Sequence, residues 1–322
     1  MGVGILCSGG DCAGMNPAIR RFVDECYARG VEPYFIYDGL EGMIDGRIKK
    51  AYHTDVAGII YRGGTIIRSS RSKRFYDEGF RKRAYENLKA NGIEELVVLG
   101  GDGSFRALKR FHDEFGVRFV GVPSTIDNDI FATEYCLGVD TALNVIRLSL
   151  DNIRDTASSF RRAFVIEVMG KECGYLALVS AITSGAEVCI VPELDYNLEA
   201  LGGKLKKELA EGRNYILAIV AEGTSATQEV ASWLSEDVGM DTRVTVLGHI
   251  QRGGNPTVYD RLMGFEFIQH GLSALFDEGI PNGVVVFREG RFHIETIDYV
   301  TSHKYQIKEE LLNLGRRMTG VQ

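Results

Sequence analysis

Residues 96–104 read Leu-Val-Val-Leu-Gly-Gly-Asp-Gly-Ser. The four apolar residues predict a buried strand, and the glycines after it predict a turn that leads into a helix. Glycines let the backbone approach an anion closely, and the N–H groups at a helix start carry partial positive charge. Asp102 stands where a Mg²⁺ ion bridging phosphates would need an oxygen ligand. The stretch predicts a phosphate-binding turn, although taken alone it could be a plain strand-to-helix connection.

Length and composition define the broad class of the protein. A chain of 322 residues suffices for about two domains with buried cores. The apolar fraction of 45% and the charged fraction of 25% are those of a globular protein, and the net charge of −7 argues against a nucleic-acid partner. We expect no membrane partner, because no signal-peptide pattern and no apolar run of roughly 18 residues occur. The six cysteines are scattered without a CxxC pair, which predicts a reduced, cytoplasmic protein without a metal–thiolate site.

Short β-branched runs alternate with amphipathic stretches along the chain, which predicts an α/β fold with parallel sheets. The runs predict strands at residues 3–7, 33–37, 96–99, 119–122, 164–168, 188–191, 216–220 and 242–246. The amphipathic stretches predict helices at residues 17–28, 76–90, 141–155 and 201–210. Residues 284–287 and 292–297 predict a closing hairpin. The alternation restarts after Gly138, so we place a domain boundary near that residue.

Two further motifs follow predicted strands. Residues 8–16 form a glycine loop that lacks the G-x-G-x-x-G spacing of a dinucleotide site. Residues 123–129 place Asp127 and Asp129 two positions apart, close to Thr125. In isolation this pattern is typical of an Asx-turn with solvated acids. Beside two phosphate loops it indicates a base for a substrate hydroxyl together with a metal or orienting group, the parts that phosphoryl transfer requires.

Basic residues cluster in the second half of this acidic chain. Arg162 and Arg243 belong to this cluster, and His249 and Arg252 lie on the glycine-rich stretch of residues 245–254. Each arginine alone could form a surface ion pair, and the histidine could be structural. Because the arginine fork and its permanent charge suit phosphate, we interpret the cluster as a site for a small dianion such as a sugar phosphate.

Taken together, these motifs resemble the phosphofructokinase family in its short, bacterial, ATP-dependent form. The resemblance runs essentially end to end and rests on seven motifs in order, at residues 8–16, 62–65, 100–104, 125–129, 168–170, 221–223 and 247–254. It implies two Rossmann-like three-layer αβα domains with mainly parallel sheets. The larger, nucleotide-binding domain would comprise residues 1–138 plus 251–301, and the smaller, sugar-phosphate-binding domain residues 139–250 plus 302–322.

The resemblance also implies an activity. A phosphoryl group would pass from MgATP to the 1-hydroxyl of fructose 6-phosphate, giving ADP and fructose 1,6-bisphosphate, in a homotetramer. Asp127 would be the base, and the other catalytic residues would be Thr125, Asp129, Arg71 and Lys171. ATP would contact Gly10, Arg71, Ser72, Gly101, Asp102, Gly103 and Ser104, with Asp102 on Mg²⁺. The sugar phosphate would contact Thr125, Ile126, Asp127, Arg162, Met169, Gly170, Lys171, Glu222, Arg243, His249 and Arg252. Arg162 and Arg243 would reach the neighbouring subunit's site.

Some positions depart from the family pattern. Lys171 replaces an arginine, which keeps the charge and loses the bidentate fork. The family's effector pocket would retain Arg20, Arg154, Glu187 and Arg213. Its other basic positions hold Asp24, His53, Glu211 and Asn214 instead. The loss of these cations makes conventional control by a nucleoside diphosphate or phosphoenolpyruvate questionable.

Alternatives remain for the phosphoryl donor and for the class of protein. Pyrophosphate-using relatives carry an aspartate where this chain has Gly103 and a lysine where it has Ser124, so Gly103 favours ATP over pyrophosphate. The other hypotheses for the function are a related sugar-phosphate kinase, a kinase of NAD and a non-catalytic regulatory subunit. The segment 125–129 argues against NAD as acceptor, and the presence of both Asp102 and Asp127 argues against a chain that has lost turnover.

Overall fold

The computed structural model describes residues 2–321. Over this range the strands are β1 (Gly2–Ser8), β2 (Glu32–Ile36), β3 (Ile48–Lys50), β4 (Ser69–Ser70), β5 (Ile93–Gly100), β6 (Arg118–Pro123), β7 (Ala163–Val168), β8 (Val188–Ile190), β9 (Ile216–Ala221), β10 (Thr242–Val246), β11 (Asn282–Arg288) and β12 (Arg291–Glu295). The helices are α1 (Met15–Ala28), α2 (Gly39–Asp45), α3 (Glu78–Ala90), α4 (Asp102–Phe115), α5 (Val139–Phe160), α6 (Tyr175–Ser184), α7 (Leu198–Ala210), α8 (Thr227–Glu236), α9 (Val258–Phe276), α10 (Ile297–Ser302) and α11 (Glu309–Gly315). The predicted strands, helices and hairpin are confirmed, with ends shifted by a few residues.

The chain forms two compact units. The first runs up to Thr141 and resumes over residues 252–305, and the second covers residues 142–251 and continues from residue 306. Helix α5 begins in the first unit and continues in the second. Among the helices within residues 2–321, none combines the length and the apolar character needed to cross a bilayer.

The first unit is built on a mainly parallel sheet with the strand order β12-β11-β6-β5-β1-β2-β3. Strand β1 is buried along its whole length, and Leu96–Leu99 of β5 are fully buried. Strands covered on both faces read as continuous apolar runs, which is why the sequence predicted them. The antiparallel pairs are β2–β3 and β11–β12. Two short strands, β3 and β4, were not predicted, because two or three residues are too few to carry a periodic pattern.

The second unit has a parallel sheet with the order β10-β7-β9-β8. One face of this sheet packs against α7 and α8 through Leu201, Leu205, Val230 and Trp233, which are all buried. Edge strand β10 is different, because Val244 and Val246 are 43% and 60% exposed. The α/β class with mainly parallel sheets flanked by helices is confirmed in both units.

Candidate functional site

The carboxyl ends of three neighbouring strands lie in one row. Cys7 of β1 pairs with Leu99 of β5, and Leu99 pairs with Val122 of β6. The loop after β1, the turn after β5 and the segment after β6 therefore start from the same edge of the sheet. Open α/β sheets bind their ligands at this edge. The structure thus brings together the three motifs that lie far apart in the sequence.

The turn after β5 forms the start of α4. Gly101 is the N-cap, and Asp102 is the first helical residue, with a side chain that is 42% exposed. Apart from the adjacent residues and the backbone of α4 itself, no heavy atom lies within 4 Å of the position that a Cβ on Gly103 would take, so the space beside this turn is open. The hydroxyl of Ser104 donates to Oγ of Ser8 at 2.8 Å. Ser104 therefore ties the turn to the end of β1, a role that the sequence did not indicate.

Strand β4 carries Arg71 to the same edge. It pairs in parallel with the end of β1, where Ser8 faces Ser70. The main-chain N–H of Gly9 donates to the carbonyl oxygen of Ser70 at 3.1 Å. Arg71, which follows β4 directly, is exposed beside the first glycine loop. The hydroxyl of Ser72 donates to Glu41, so this predicted donor-binding side chain already has a partner within the protein.

The segment after β6 contains the predicted base. Thr125, Asp127 and Asp129 are half-buried. The main-chain N–H of Asp127 donates to Oγ1 of Thr125 at 3.3 Å. Ile126 as a whole residue is only 1% exposed, so it leaves almost no surface for the substrate contact predicted for it.

Arg252 lies against the first glycine loop. Its Nη1 donates to the main-chain oxygen of Asp11 at 3.2 Å. A Cβ on Gly10 would stand 2.2 Å from the same nitrogen, so the guanidinium in this position fills the space beside the glycine. The structure therefore places a predicted sugar-phosphate residue in contact with a predicted donor-phosphate residue.

In the second unit, the turn after β7 meets the end of β9. One carboxylate oxygen of Glu222, Oε1, accepts from the N–H groups of Gly170 at 3.3 Å and Lys171 at 3.0 Å. Gly223 has no space for a Cβ, since that atom would lie 1.6 Å from the carbonyl oxygen of Lys171. Glu222 thereby fixes the turn that carries Met169, and the Lys171 side chain extends into solvent.

Gln251 is a residue of this region that sequence reasoning missed. Its Oε1 accepts from the N–H of Met169 at 3.2 Å, and its Nε2 donates to the carbonyl oxygen of Gly248 at 2.9 Å. The side chain is 1% exposed. Gln251 therefore joins the turn after β7 to the 3₁₀ helix Gly248–Arg252, which carries His249. An amide side chain within the motif 247–254 was the only signal available in the sequence.

The two arginines predicted to reach a neighbouring subunit share one carboxylate. Nε of Arg162 and Nη1 of Arg243 each lie 2.6 Å from an oxygen of Asp241. The hydrogen bond from Arg162 holds the pKa of Asp241 below its usual value. The aspartate thus orients both guanidinium groups at the start of neighbouring strands.

The predicted effector residues have partners within their own units. Arg20 forms an ion pair with Asp24 at 3.5 Å. Arg154 donates to the carbonyl oxygen of Ser184, and Arg213 donates to Glu187. Glu187 is buried, and burial raises its pKa.

Two α/β units, the first with glycine loops and carboxylates at the carboxyl edge of its mainly parallel sheet, define a Rossmann-like protein with a candidate ligand-binding edge. The sequence profile of the family described as phosphofructokinase matches residues 2–275, and the chain belongs to this family.

Relatives extend this assignment along the chain. An ATP-dependent 6-phosphofructokinase from Wolinella succinogenes is 56% identical over 319 residues, covering 99% of both chains. A phosphofructokinase structure from Saccharomyces cerevisiae has a TM-score of 0.89 and 31% identity, covering 93% of this chain and 45% of that one. This chain therefore spans less than half of the yeast chain. A pyrophosphate-dependent phosphofructokinase from Marinobacter aquaeolei has a TM-score of 0.81 at 18% identity, covering 99% of this chain and 92% of that one, and shares the fold.

Proposed function

We propose that this protein is an ATP-dependent 6-phosphofructokinase, a glycolytic kinase that phosphorylates fructose 6-phosphate. The observation that carries the proposal is the row formed by Cys7, Leu99 and Val122, from which two phosphate-type loops and the segment with Asp127 all start. This row supports the proposal, because phosphoryl transfer requires a site for the donor phosphates beside a carboxylate able to accept a proton. The full-length relative that is 56% identical and carries this name supports the same activity.

In the proposed reaction, Asp127 accepts the proton of the sugar's 1-hydroxyl. The hydroxyl oxygen forms a bond to the γ-phosphorus, and the bond from that phosphorus to the bridging oxygen breaks, so ADP leaves with the electron pair. Thr125 and Asp129 orient the reacting groups. Arg71 stabilises the charge on the transferring phosphoryl group, an effect that depends on its placement beside the first loop.

Asp102 fits the role of a Mg²⁺ ligand. Its carboxylate is partly exposed at the start of α4, where Oδ2 accepts from Nε of Arg106 at 2.8 Å, so metal binding would compete with this ion pair. In the part of the chain that the structure describes, no three or more His, Cys, Asp or Glu side chains form a group that could hold a metal. The protein would therefore supply few ligands, as is usual for Mg²⁺ held by substrate phosphates and water. When bound, Mg²⁺ would neutralise charge on the donor phosphates.

The residues proposed to contact the sugar phosphate are Thr125, Ile126, Asp127, Met169, Gly170, Lys171, Glu222, His249 and Arg252. We propose a homotetramer in which Arg162 and Arg243 act in a neighbouring subunit's site.

Conventional effector control is not part of the proposal, because Arg20 and Arg213 are already paired with carboxylates. A cytoplasmic location is part of it, because all six cysteines are free and buried thiols.

A matrix of donors and acceptors tests the proposal. Purified protein is assayed with ATP or pyrophosphate against fructose 6-phosphate, sedoheptulose 7-phosphate or NAD⁺, with direct detection of the phosphorylated product. We expect the highest kcat/KM for ATP with fructose 6-phosphate. Higher turnover with pyrophosphate than with ATP would indicate a pyrophosphate-dependent enzyme. Phosphorylation of NAD⁺ without phosphorylation of either sugar phosphate would contradict the proposal.

Mixed oligomers test the contribution of Arg243 across subunits. Asp127→Asn and Arg243→Ala chains are unfolded together, refolded and assayed at low fructose 6-phosphate. If each site combines Asp127 of one chain with Arg243 of another, random mixing restores about a quarter of the wild-type sites. Mixing with Arg83→Ala, which removes an exposed arginine of α3, controls for subunit exchange. Activity no higher than the sum of the two separate variants would place Arg243 in its own chain's site.

A further inference from the structure

We propose that Asn128 is a positioning residue that holds Asp127 and Asp129 in place by bracing their loop from inside. The inference deepens the proposed function, on which it rests. Asn128 lies between the two carboxylates in the sequence but does not share their surroundings. It is 0% exposed, whereas both aspartates are half-buried.

Burial alternates along the loop that carries the reactive groups. Thr125, Asp127 and Asp129 are half-buried, and the residues that follow each of them are buried, at 1% for Ile126, 0% for Asn128 and 2% for Ile130. The two isoleucines are ordinary apolar anchors. A buried amide between these two isoleucines needs hydrogen-bond partners, since an unsatisfied polar group in the interior is destabilising.

The side chain of Asn128 finds these partners in the far half of the same loop. Its Oδ1 accepts from the main-chain N–H of Cys136 at 2.8 Å, and its Nδ2 donates to the carbonyl oxygen of Glu134 at 3.2 Å. Nδ2 also lies 3.5 Å from the hydroxyl of Tyr305. An amide offers an acceptor and two donors at one end, which matches this set.

The backbone of Asn128 also requires this type of residue. Its φ of 51° lies in the left-handed region. Asparagine adopts this region more readily than most residues that have a Cβ. This conformation turns the chain between Asp127 and Asp129.

The half of the loop that Asn128 contacts is itself fixed to the sheet and to α9. The N–H of Glu134 donates to the carbonyl oxygen of Phe287 in β11 at 2.8 Å. The buried carboxylate of Asp260 in α9 accepts from the N–H groups of Gly138 at 2.6 Å and Thr141 at 2.8 Å. Asn128 therefore connects the segment that carries Asp127 and Asp129 to the half of the loop that is fixed to β11 and α9.

Asn128→Gly tests the role of the hydrogen bonds from Asn128 to residues 134 and 136, because glycine keeps the positive φ and removes the amide. A displacement of about 1 Å in a reacting group costs on the order of 10²-fold in rate, so we expect kcat to fall by about that factor. The KM values for ATP and fructose 6-phosphate should change only a few-fold. Ala132→Gly is the matched control, since Ala132 lies in the same loop with a φ of 69° and has no side-chain amide. That variant should keep kcat near the wild-type value.

Hydrogen exchange measured by mass spectrometry supplies a readout that does not need turnover. Peptides covering residues 125–136 should exchange faster in Asn128→Gly than in the wild type or in Ala132→Gly. Unchanged exchange, or an unchanged kcat in the folded variant, would overturn the inference. A wild-type protein without product from fructose 6-phosphate would overturn the proposed function instead, while the exchange comparison would still decide whether the brace exists. If Asn128→Gly does not fold, Asn128→Asp keeps the acceptor for Cys136 and replaces the amide donor, and a wild-type kcat in that variant would contradict the role of Nδ2.

Discussion

Asp127→Asn is expected to lower kcat by about 10²–10⁴-fold, because an amide of the same shape cannot accept the proton of the attacking hydroxyl. KM for ATP and for fructose 6-phosphate should stay within a few-fold of the wild-type values, since the substitution preserves volume at a half-buried position. The measurement is initial-rate kinetics with direct detection of fructose 1,6-bisphosphate. Thermal shifts with each substrate report binding in the inactive variant.

A charge-matched control separates loss of the base from loss of a negative charge. Asp113→Asn removes a carboxylate of α4 that is exposed and pairs with Lys109, and it should leave kcat unchanged. Retention of kcat in Asp127→Asn would exclude Asp127 as the base. A loss of binding equal to the loss of kcat would indicate that the residue supports the loop rather than the chemistry.

Gly103→Asp is expected to reduce kcat/KM for ATP by about 10²–10³-fold, because a like charge placed against a phosphate costs several kcal/mol. The Cβ of the new side chain meets no clash with other parts of the protein, since outside the local helix backbone and the adjacent residues nothing lies within 4 Å of its position. Binding of fructose 6-phosphate should change little. Steady-state kinetics with ATP and pyrophosphate, together with a thermal shift for the sugar phosphate, measure both effects.

Two variants at the same position separate charge from shape. Gly103→Asn has the size of aspartate without its charge, and Gly103→Ala adds only a methyl group within α4, where alanine is the better helix former by about 1 kcal/mol. ATP use should fall most in the aspartate variant. An equal fall for ATP and for sugar-phosphate binding would show that position 103 serves the fold rather than donor selection.

The strand and helix alternation, the hairpin and the three motif loops could be predicted from local patterns. Leu96–Leu99 form a continuous apolar run because their strand is covered on both faces, and the glycines after it are required where the chain turns into α4. Such signals lie within a few residues of the structure that they specify. The sequence motifs also sufficed to suggest the family before any contact between them was known.

Contacts between distant segments could not be predicted in this way. The two-residue strand β4, which carries Arg71 to the site, exists only because β1 is there to pair with it. The pattern of residues 123–129 is in isolation typical of a solvated Asx-turn, yet Asn128 within this segment is buried and bonded to residues 134 and 136.

The sequence by itself determined the α/β class, and it predicted which turns would bind anions and which side chains would react. Only the tertiary structure decided which polar residues support those groups. Asp260, for example, binds Gly138 across 122 positions of the sequence. The physical reason is that a buried polar side chain is specified by the partners that satisfy it, and these partners meet only when the chain is folded.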